Sequence, residues 1–344
     1  MTARRTIVPL AAARPPLYAG VDLGGTNIKA ALVDDDGRLL AFHTEPTHAD
    51  RGPEDTAARM GGAVRAVAAR AGIATADVAR VGLGTPGTQD LPRGTILQSG
   101  NLPGWENFPI RDRVAAHCGH RVTYANDANA AAYGEFWVGS GREHASLVLL
   151  TLGTGVGGGI IIGDLNVEGA HSHGSECGHI IVDPSPTARR CPFGHRGDLE
   201  AYASATALVA AAREALAAGG RGPLADAVAR GERLDPILVA TAAAAGDGLA
   251  RGLILDAAGW LGIGVVTLMH TIDPEAVILG GAMTFGGESD PIGWAFIERV
   301  RAEVRERAFP LLAEKTVIRY ASLGGDAGSI GAAGLARLAH RAGR

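Results

Sequence analysis

The chain carries one local pattern twice: an apolar strand, a polar turn rich in glycine, and a second apolar strand. Residues 21–33 and residues 150–162 share this pattern. Strands and helices then alternate through both halves of the sequence. Because a sheet of this kind must bury its faces against helices, the repetition favours two α/β domains with an active cleft between them.

Composition agrees with this interpretation and excludes several other classes. Of the 344 residues, 47% are apolar and 20% are charged, enough for the cores of two domains. The net charge of −4 gives no electrostatic basis for binding nucleic acid or an anionic membrane. Three cysteines form no disulfide framework, which favours a reducing compartment. No uninterrupted apolar run approaches the roughly 18 residues that suggest a membrane span, so we predict a cytoplasmic protein.

Both glycine turns are suited to holding phosphate. The turn of Asp22–Lys29 adds Thr26 and Asn27 as donors to a backbone that glycine lets approach an anion. Gly153–Gly158 matches the G-x-G-x-x-G dinucleotide fingerprint, but the β-branched run Ile160–Ile162 predicts a returning strand instead of the required helix. A hairpin turn offering N–H groups to phosphate fits better than a dinucleotide fold. Either turn alone could be an ordinary β-turn; their matching positions favour phosphate binding.

Asn126 and Asp127 stand where an apolar strand ends and an Ala-rich helix begins. Their simplest role is to cap that helix. Their position between the two glycine turns suggests more: an acidic side chain there could act as the base that prepares a hydroxyl to attack a phosphoryl group.

A third cluster contains Glu176, His179 and Glu200, whose acceptors and donor suit the hydroxyls of a sugar. Cysteine and histidine in the same region could also hold zinc. An ordinary exposed-loop interpretation is reasonable for His171, His173 and His195.

Together these motifs resemble the ROK (repressor, ORF, kinase) family, in the expected order from Leu17 to the C-terminus. The matching segments are Asp22–Thr26, Asn126-Asp127, Gly153–Gly159, Glu176–His179, Gly197–Glu200, Ile278–Ala282 and Leu323–Gly328. The resemblance implies a two-lobed actin-like ATPase (ribonuclease H-like) α/β fold with duplicated βββαβ-type cores and ATP in the interlobe cleft. We expect residues 1–16 to be a disordered leader, residues 17–125 plus 327–344 the small lobe, and residues 126–326 the large lobe.

The resemblance also assigns roles to individual residues. Asp127 matches the catalytic base, acting on a sugar hydroxyl, the 6-hydroxyl for a hexose. The positions that match sugar-binding residues are Asn126, Asp127, Glu176, His179 and Glu200, with Gly87 and Asn101 matching less closely. The phosphate turns correspond to Asp22, Gly24, Gly25, Thr26 and Asn27 and to Gly153, Thr154, Gly155 and Gly157. Gly280 and Gly281 correspond to the outer end of the nucleotide site.

One departure concerns zinc. The family's zinc loop reads C-x-C-G-x-x-G-C-x-E and is joined by a histidine that His179 matches. This chain keeps Cys191 but has Phe193 and Asp198 in place of two cysteines. Phenylalanine cannot bind a metal, so we predict that the structural zinc is absent or weak and that packing around Phe193 holds the loop. Asp198 could be a third ligand, and Cys177 or His195 could substitute.

The sequence therefore predicts an ATP- and Mg²⁺-dependent hexokinase of the glucokinase type, with no nucleic-acid or membrane partner. Other hexoses (fructose, mannose or an N-acetyl-hexosamine) and polyphosphate as donor stay open. A non-catalytic sugar-sensing regulator is the alternative from another class; such regulators carry an N-terminal winged helix-turn-helix, whereas about sixteen residues precede the first strand here. The family suggests a homodimer or homotetramer.

Overall fold

The computed structural model describes residues 5–99, 102 and 104–343. Its strands are β1 (Leu17–Leu23), β2 (Asn27–Val33), β3 (Leu39–Pro46), β4 (Val78–Thr85), β5 (Thr88–Asp90), β6 (Thr95–Gln98), β7 (Val122–Asn126), β8 (Ser146–Leu152), β9 (Val156–Ile162), β10 (Leu165–Asn166), β11 (Ala276–Gly281) and β12 (Val317–Tyr320). Its α-helices are α1 (Pro53–Arg70), α2 (Ile110–Cys118), α3 (Asp127–Trp137), α4 (Glu200–Ala203), α5 (Ala205–Ala217), α6 (Pro223–Ala229), α7 (Pro236–Ala244), α8 (Gly248–Ile272), α9 (Pro291–Arg307), α10 (Pro310–Lys315) and α11 (Ala327–Arg341). Short 3-10 helices lie at Leu10–Ala12, Ala49–Arg51, Thr75–Asp77, Cys177–His179, Gly287–Ser289 and Gly324–Asp326.

The first sheet has the strand order β3-β2-β1-β4-β7. β1, β2 and β3 are antiparallel neighbours, while β4 and β7 add in parallel. Successive residues of a strand face opposite sides of its sheet. Accordingly, Val21 packs into the core with Met60 of α1, and Tyr18 packs with Ile330 of α11.

Helix α11 lies unusually close to this sheet because two glycines leave room for it. A Cβ on Gly20 would lie 1.9 Å from the carbonyl oxygen of Ser329, and one on Gly82 would lie 1.8 Å from that of Ala332. Larger residues at either position would push the helix away. The close packing fixes the start of α11 beside the end of β1.

The second sheet has the order β10-β9-β8-β11-β12. Strands β8 and β12 both pair in parallel with β11, and β10 pairs antiparallel with β9. This arrangement repeats that of the first sheet, so the predicted duplication is confirmed. It also confirms the rejection of a dinucleotide fold, because a strand, β9, follows the Gly153–Gly155 turn.

Helix α8 is long and apolar enough to meet a length-and-hydropathy criterion for a membrane span, with a mean hydropathy of 1.7. Within the structure, 61% of its most apolar window is buried. The helix packs against α9 and α7. Its apolar character is therefore explained by its place in the protein core.

The described part of the predicted leader, residues 5–16, is ordered, so the expectation of a disordered leader is wrong there. Arg5 forms two hydrogen bonds with the carboxylate of Asp326, at 2.6 and 2.9 Å. The backbone N–H of Val8 donates to the carbonyl of Leu39 at 2.9 Å. The segment is therefore held at Arg5 by the residue that precedes α11 and at Val8 by the start of β3.

The chain divides into two compact units. Of the residues that the structure describes, those within 147–158 and 176–321 form the C-terminal unit, and those within 5–146, 159–175 and 322–343 form the N-terminal unit. Residues 126–146, which the sequence places in the large lobe, group with the N-terminal unit. The reason is that α3 packs against α11, which itself lies on the first sheet.

Candidate active site

The first glycine turn joins β1 to β2 in the N-terminal unit. The N–H of Gly24 donates to the carbonyl of Asn27 at 2.9 Å. From the side, Thr47 holds the turn: its hydroxyl donates to Gly24 O at 2.6 Å and its N–H to Thr26 O at 2.8 Å. Gly25, Thr26 and Asn27 are exposed, with Asn27 already the first residue of β2. The turn is therefore rigid at its base and open at its tip.

Asp22 lies near the end of β1, close to Asp127. Burial and the negative charge of Asp127 raise the pKa of Asp22 to about 7, and Lys29 acts in the opposite direction. A Cβ on Gly328, in the first turn of α11, would lie 2.7 Å from the Asp22 carboxyl carbon. Lys29 Nζ donates to Gly325 O at 2.7 Å. Two carboxylates and one ammonium group thus gather near the beginning of α11.

Asn126 and Asp127 occupy the start of α3. The Asn126 side-chain oxygen accepts hydrogen bonds from the N–H groups of Ala128 (2.8 Å) and Asn129 (3.2 Å), so the capping role of Asn126 is confirmed. Its side-chain NH₂ group is not used by the cap. The Asp127 carboxylate accepts from the N–H of Ala128 at 2.8 Å, within the first helical turn.

The end of β4 forms the wall beside Asp127. A Cβ on Gly84 would lie 3.6 Å from the Asp127 Cα, in ordinary contact. Gly87 has φ +90°, and a Cβ on it would lie 2.3 Å from Gln98 O. Glycine at this position is thus explained by the turn itself. Asn101, which like Gly87 was matched less closely to a sugar-binding position, lies outside the described residues.

The second glycine turn, in the C-terminal unit, is held by the beginning of α5. Gly153 N–H donates to Gly155 O, and Ala205 N–H donates to Gly153 O, each at 2.9 Å. The Thr206 hydroxyl donates to Thr154 O at 2.7 Å. Thr154 is exposed at the tip of the turn, while Gly157 lies in β9, past the turn.

Glu200 fastens the far side of this turn. Its Oε2 accepts a hydrogen bond from the N–H of Val156 at 2.9 Å. A Cβ on Gly155 would lie 2.2 Å from the same oxygen, so no larger residue fits while Glu200 keeps its position. Glu200 is 7% exposed. Burial raises its pKa, opposed by the Val156 hydrogen bond and by His179.

Gly280 and Gly281 end β11 next to the end of β8. Gly281 has φ +89°, and a Cβ on it would lie 2.3 Å from the carbonyl oxygen of Leu152. The N–H of Met283 donates to that same oxygen at 3.1 Å. Gly281 therefore stands directly beside the strand that leads into the second turn. Ligands of open α/β sheets bind at such carboxyl ends of parallel strands.

The predicted sugar-binding residues of the C-terminal unit form one group. Both His179 and Glu176 act electrostatically on Glu200, and Glu176 precedes the 3-10 helix that contains His179. His179 Nδ1 also lies 2.9 Å from Asp198 Oδ2. Asn126 and Asp127 belong to the N-terminal unit, together with Asp22.

The ring of Phe193 is 54% exposed, but it lies edge-on to the imidazole of His179 and stacks on that of His195, with 5.4 and 6.3 Å between ring centroids. That this packing holds the loop stays a prediction. The donor atoms of His179, Cys191, His195 and Asp198 gather in the same loop region.

Three residues with contacts around the two glycine motifs were not predicted from the sequence: Lys29, Ala205 and Thr206. Lys29 ends the Asp22–Lys29 motif, which was the available signal. Thr206 follows Ser204, the N-cap of α5, so a helix start could have been predicted there. Its contact with a turn 52 residues earlier could not.

Comparison with known proteins places these features in a class. Residues 18–339 match the ROK family. A glucokinase from Thermotoga maritima is 34% identical over 319 residues, covering 92% of this chain and 96% of that protein. The crystal structure of a ROK family glucokinase from Streptomyces griseus in complex with glucose and AMPPNP is 34% identical with a TM-score of 0.75, covering 94% of this chain and 100% of that one.

A relative of another functional class matches over less of its own length. The xylose repressor of Caldicellulosiruptor bescii is 33% identical over 232 residues, covering 67% of this chain and 55% of the repressor. Fold and site together define an ATP-dependent sugar kinase with the predicted actin-like α/β fold. The chain belongs to the ROK family.

Proposed function

We propose that this protein transfers the γ-phosphoryl group of ATP to the 6-hydroxyl of glucose, with Asp127 as the base. The observation that carries the proposal is the placement of Asp127 in the first turn of α3, close enough to Asp22 of the first glycine turn to raise its pKa. A carboxylate next to a phosphate-binding turn is where a base must lie to accept a proton from an attacking hydroxyl.

The sugar would be bound by hydrogen-bonding side chains whose positions are already fixed. Glu176, His179 and Glu200 form one such group. In Glu200, Oε2 accepts the hydrogen bond from the N–H of Val156, and Oε1 would accept one from a sugar hydroxyl. Asn126 can donate from its side-chain NH₂ group while its oxygen caps α3. Glu200, which is buried, would select for a hydroxyl, because a substrate lacking that hydroxyl leaves the carboxylate unsatisfied.

The residues of the glycine turns fit the phosphates of ATP. The tip of the first turn is exposed, and a Cβ on Gly153 of the second turn would meet nothing within 4 Å, so the backbone at both turns is open to a close-lying ligand. ATP supplies the phosphoryl group and Mg²⁺ shields its charge. Asp22 is the carboxylate suited to hold Mg²⁺, because oxygen donors are what this cation prefers. The reaction would take place in the cytoplasm, where ATP is available.

The test is a coupled kinase assay with glucose, fructose, mannose and N-acetyl-hexosamines, on the wild type and on Asp127→Asn. We expect glucose to give the highest kcat/KM, and the variant to lose about 10²-fold or more in kcat while its circular dichroism is unchanged. Asp112→Asn is the matched control, since Asp112 also lies in the first turn of a helix but is exposed on α2. Near-normal turnover of Asp127→Asn would refute the role of the base.

A sugar-responsive regulator is the second candidate, favoured by the match to the xylose repressor. A DNA-binding assay with and without glucose separates the two. Sequence-specific DNA binding without sugar phosphorylation would support the regulator and contradict the kinase.

A further inference from the structure

Four side chains in the C-terminal unit bring metal-binding atoms together. The donor atoms of His179, Cys191, His195 and Asp198 all lie within 4.8 Å of one another. Two imidazoles, one thiol and one carboxylate make a donor set typical of zinc, which accepts nitrogen, sulfur and oxygen ligands in one site. At these separations, small side-chain rotations are sufficient to bring all four donors around a single ion.

The burial of these groups argues independently for a cation. Asp198 is fully buried and Cys191 is 5% exposed. A buried carboxylate is costly unless a positive charge or several hydrogen bonds compensate it. In the described part of the chain, no arginine or lysine pairs with Asp198; its partners include the His179 ring, the N–H of Ala201 at 3.2 Å and the Cys191 thiol.

The backbone explains how His195 joins the group. Gly194 N–H donates to Cys191 O at 2.9 Å, and Cys191 N–H donates to His195 O at 3.0 Å, which closes a tight turn. Gly194 has φ +85°, a conformation that glycine adopts readily. The turn returns His195 to Cys191, and the imidazole lies edge-on to that of His179, with 5.3 Å between ring centroids.

We infer that this loop binds one zinc ion through His179, Cys191, His195 and Asp198, with His195 supplying the donor that Phe193 cannot. The sequence alone predicted an absent or weak zinc, because it showed a phenylalanine and an aspartate where the family has cysteines. The spatial arrangement shows a replacement for each lost donor within the same loop. Four protein ligands leave no open position, so the ion has a structural role.

Such an ion would connect the zinc loop with the active site. Asp198 lies two residues before Glu200, which holds the second glycine turn through Val156. Fixing Asp198 therefore fixes the start of α4 and the Glu200 carboxylate. The inference on zinc itself stands on the four donors and does not depend on which sugar is phosphorylated.

The experiment measures metal content and does not use activity. The purified protein is dialysed against metal-free buffer and its zinc is determined by mass spectrometry, before and after incubation with zinc sulfate and desalting. We expect about one zinc per chain, and a loss of most of it in His195→Ala and Cys191→Ser. Phe193→Ala is the matched control in the same loop, and His173→Ala is the matched histidine outside the cluster; both should retain the metal.

A second measurement distinguishes the loss of a metal ligand from misfolding of the variant. Cobalt replaces zinc in such sites, and its thiolate absorption band reports the Cys191 bond directly. We expect this band in the wild type and in Phe193→Ala, and its loss in Cys191→Ser with circular dichroism unchanged. Wild-type protein that retains no zinc after incubation, or His195→Ala that retains as much zinc as the wild type, would overturn the assignment.

Discussion

Asp22 and Asp127 place two carboxylates in one small region of the N-terminal unit. Burial first, and then the negative charge of Asp127, raise the pKa of Asp22 to about 7, with Lys29 as the opposing charge. Perturbed carboxylates that face each other are typical of functional sites, where a substrate or cation resolves the conflict. The glycine motif predicted Asp22, but its proximity to Asp127 depends on two strands that are 100 residues apart in sequence and separated by β4 in the sheet.

The raised pKa of Asp22 predicts a pH-dependent cost in stability. The folded state binds the proton more tightly than the unfolded state, whose ordinary Asp pKa is 3.8. The stabilisation from this proton is therefore present below about pH 4 and is lost as the pH rises to about 7. Asp22→Asn removes the charge, so without nucleotide or Mg²⁺ its Tm should exceed that of the wild type by a few degrees at about pH 8 and by little at about pH 4.

Thermal unfolding followed by circular dichroism across this pH range checks the prediction. Asp112→Asn, which removes an exposed carboxylate from α2, should show no such pH-dependent difference. A difference in Tm between Asp22→Asn and the wild type that stays constant from pH 4 to pH 8 would contradict it.

Asn126 combines a structural and a binding role that substitutions can separate. Asn126→Asp keeps an oxygen that caps α3 but removes the NH₂ donors, so stability should change by less than about 0.5 kcal/mol while the KM for sugar rises about tenfold or more. Asn126→Ala loses both functions and should cost about 1 kcal/mol of stability as well. Urea denaturation and sugar KM values measured on both variants distinguish the two roles. Equal KM values for Asn126→Asp and the wild type would show that the Asn126 side chain does not bind the sugar.

At the scale of elements, the sequence predicted what depends on local pattern. A strand end and a helix start were predicted at Asn126 and Asp127, and the structure shows β7 ending at Asn126 and α3 beginning at Asp127. The returning strand after the second glycine turn was predicted from its isoleucines, but it begins four residues earlier, at Val156. Glycines 157–159 carry no β propensity, and only pairing within the sheet makes them a strand.

The contact between Glu200 and the second glycine turn could not be predicted from the sequence, because it joins residues 44 positions apart. It leads to a prediction for Gly155→Ala. The added Cβ would displace the Glu200 carboxylate, so the KM values for sugar and ATP should both rise, with stability lowered by about 1–3 kcal/mol. Gly252→Ala in α8, where a Cβ meets open space, is the steric control. Steady-state kinetics with each substrate varied in turn measures the effect; a change in the ATP KM alone would show that the turn and the sugar residues are independent.

For the whole molecule, the repeated strand–turn–strand pattern was sufficient to predict two related α/β halves, and the two sheets have corresponding strand orders. The unit boundaries were not predictable from the same pattern. They depend on the packing of α3 against α11, two segments about 200 residues apart in sequence.

Ligand binding should stabilise the whole chain by mass action. Glucose at about 100 times its Kd adds roughly 2.7 kcal/mol to the free energy of unfolding, which corresponds to a rise in Tm of roughly 3–8 °C. Differential scanning fluorimetry with a series of hexoses measures this shift, and a non-binding sugar at equal concentration is the control. A shift with N-acetyl-hexosamines and none with glucose would contradict glucose as the substrate.

The division of the chain has a practical consequence for protein engineering. Between residues 5 and 343, the described part of the polypeptide passes from one unit to the other at four places, so the N-terminal unit consists of three separate stretches. A chimera with a homologue that uses a single crossover point would combine mismatched halves of a core. We expect viable hybrids only when all three stretches are exchanged together.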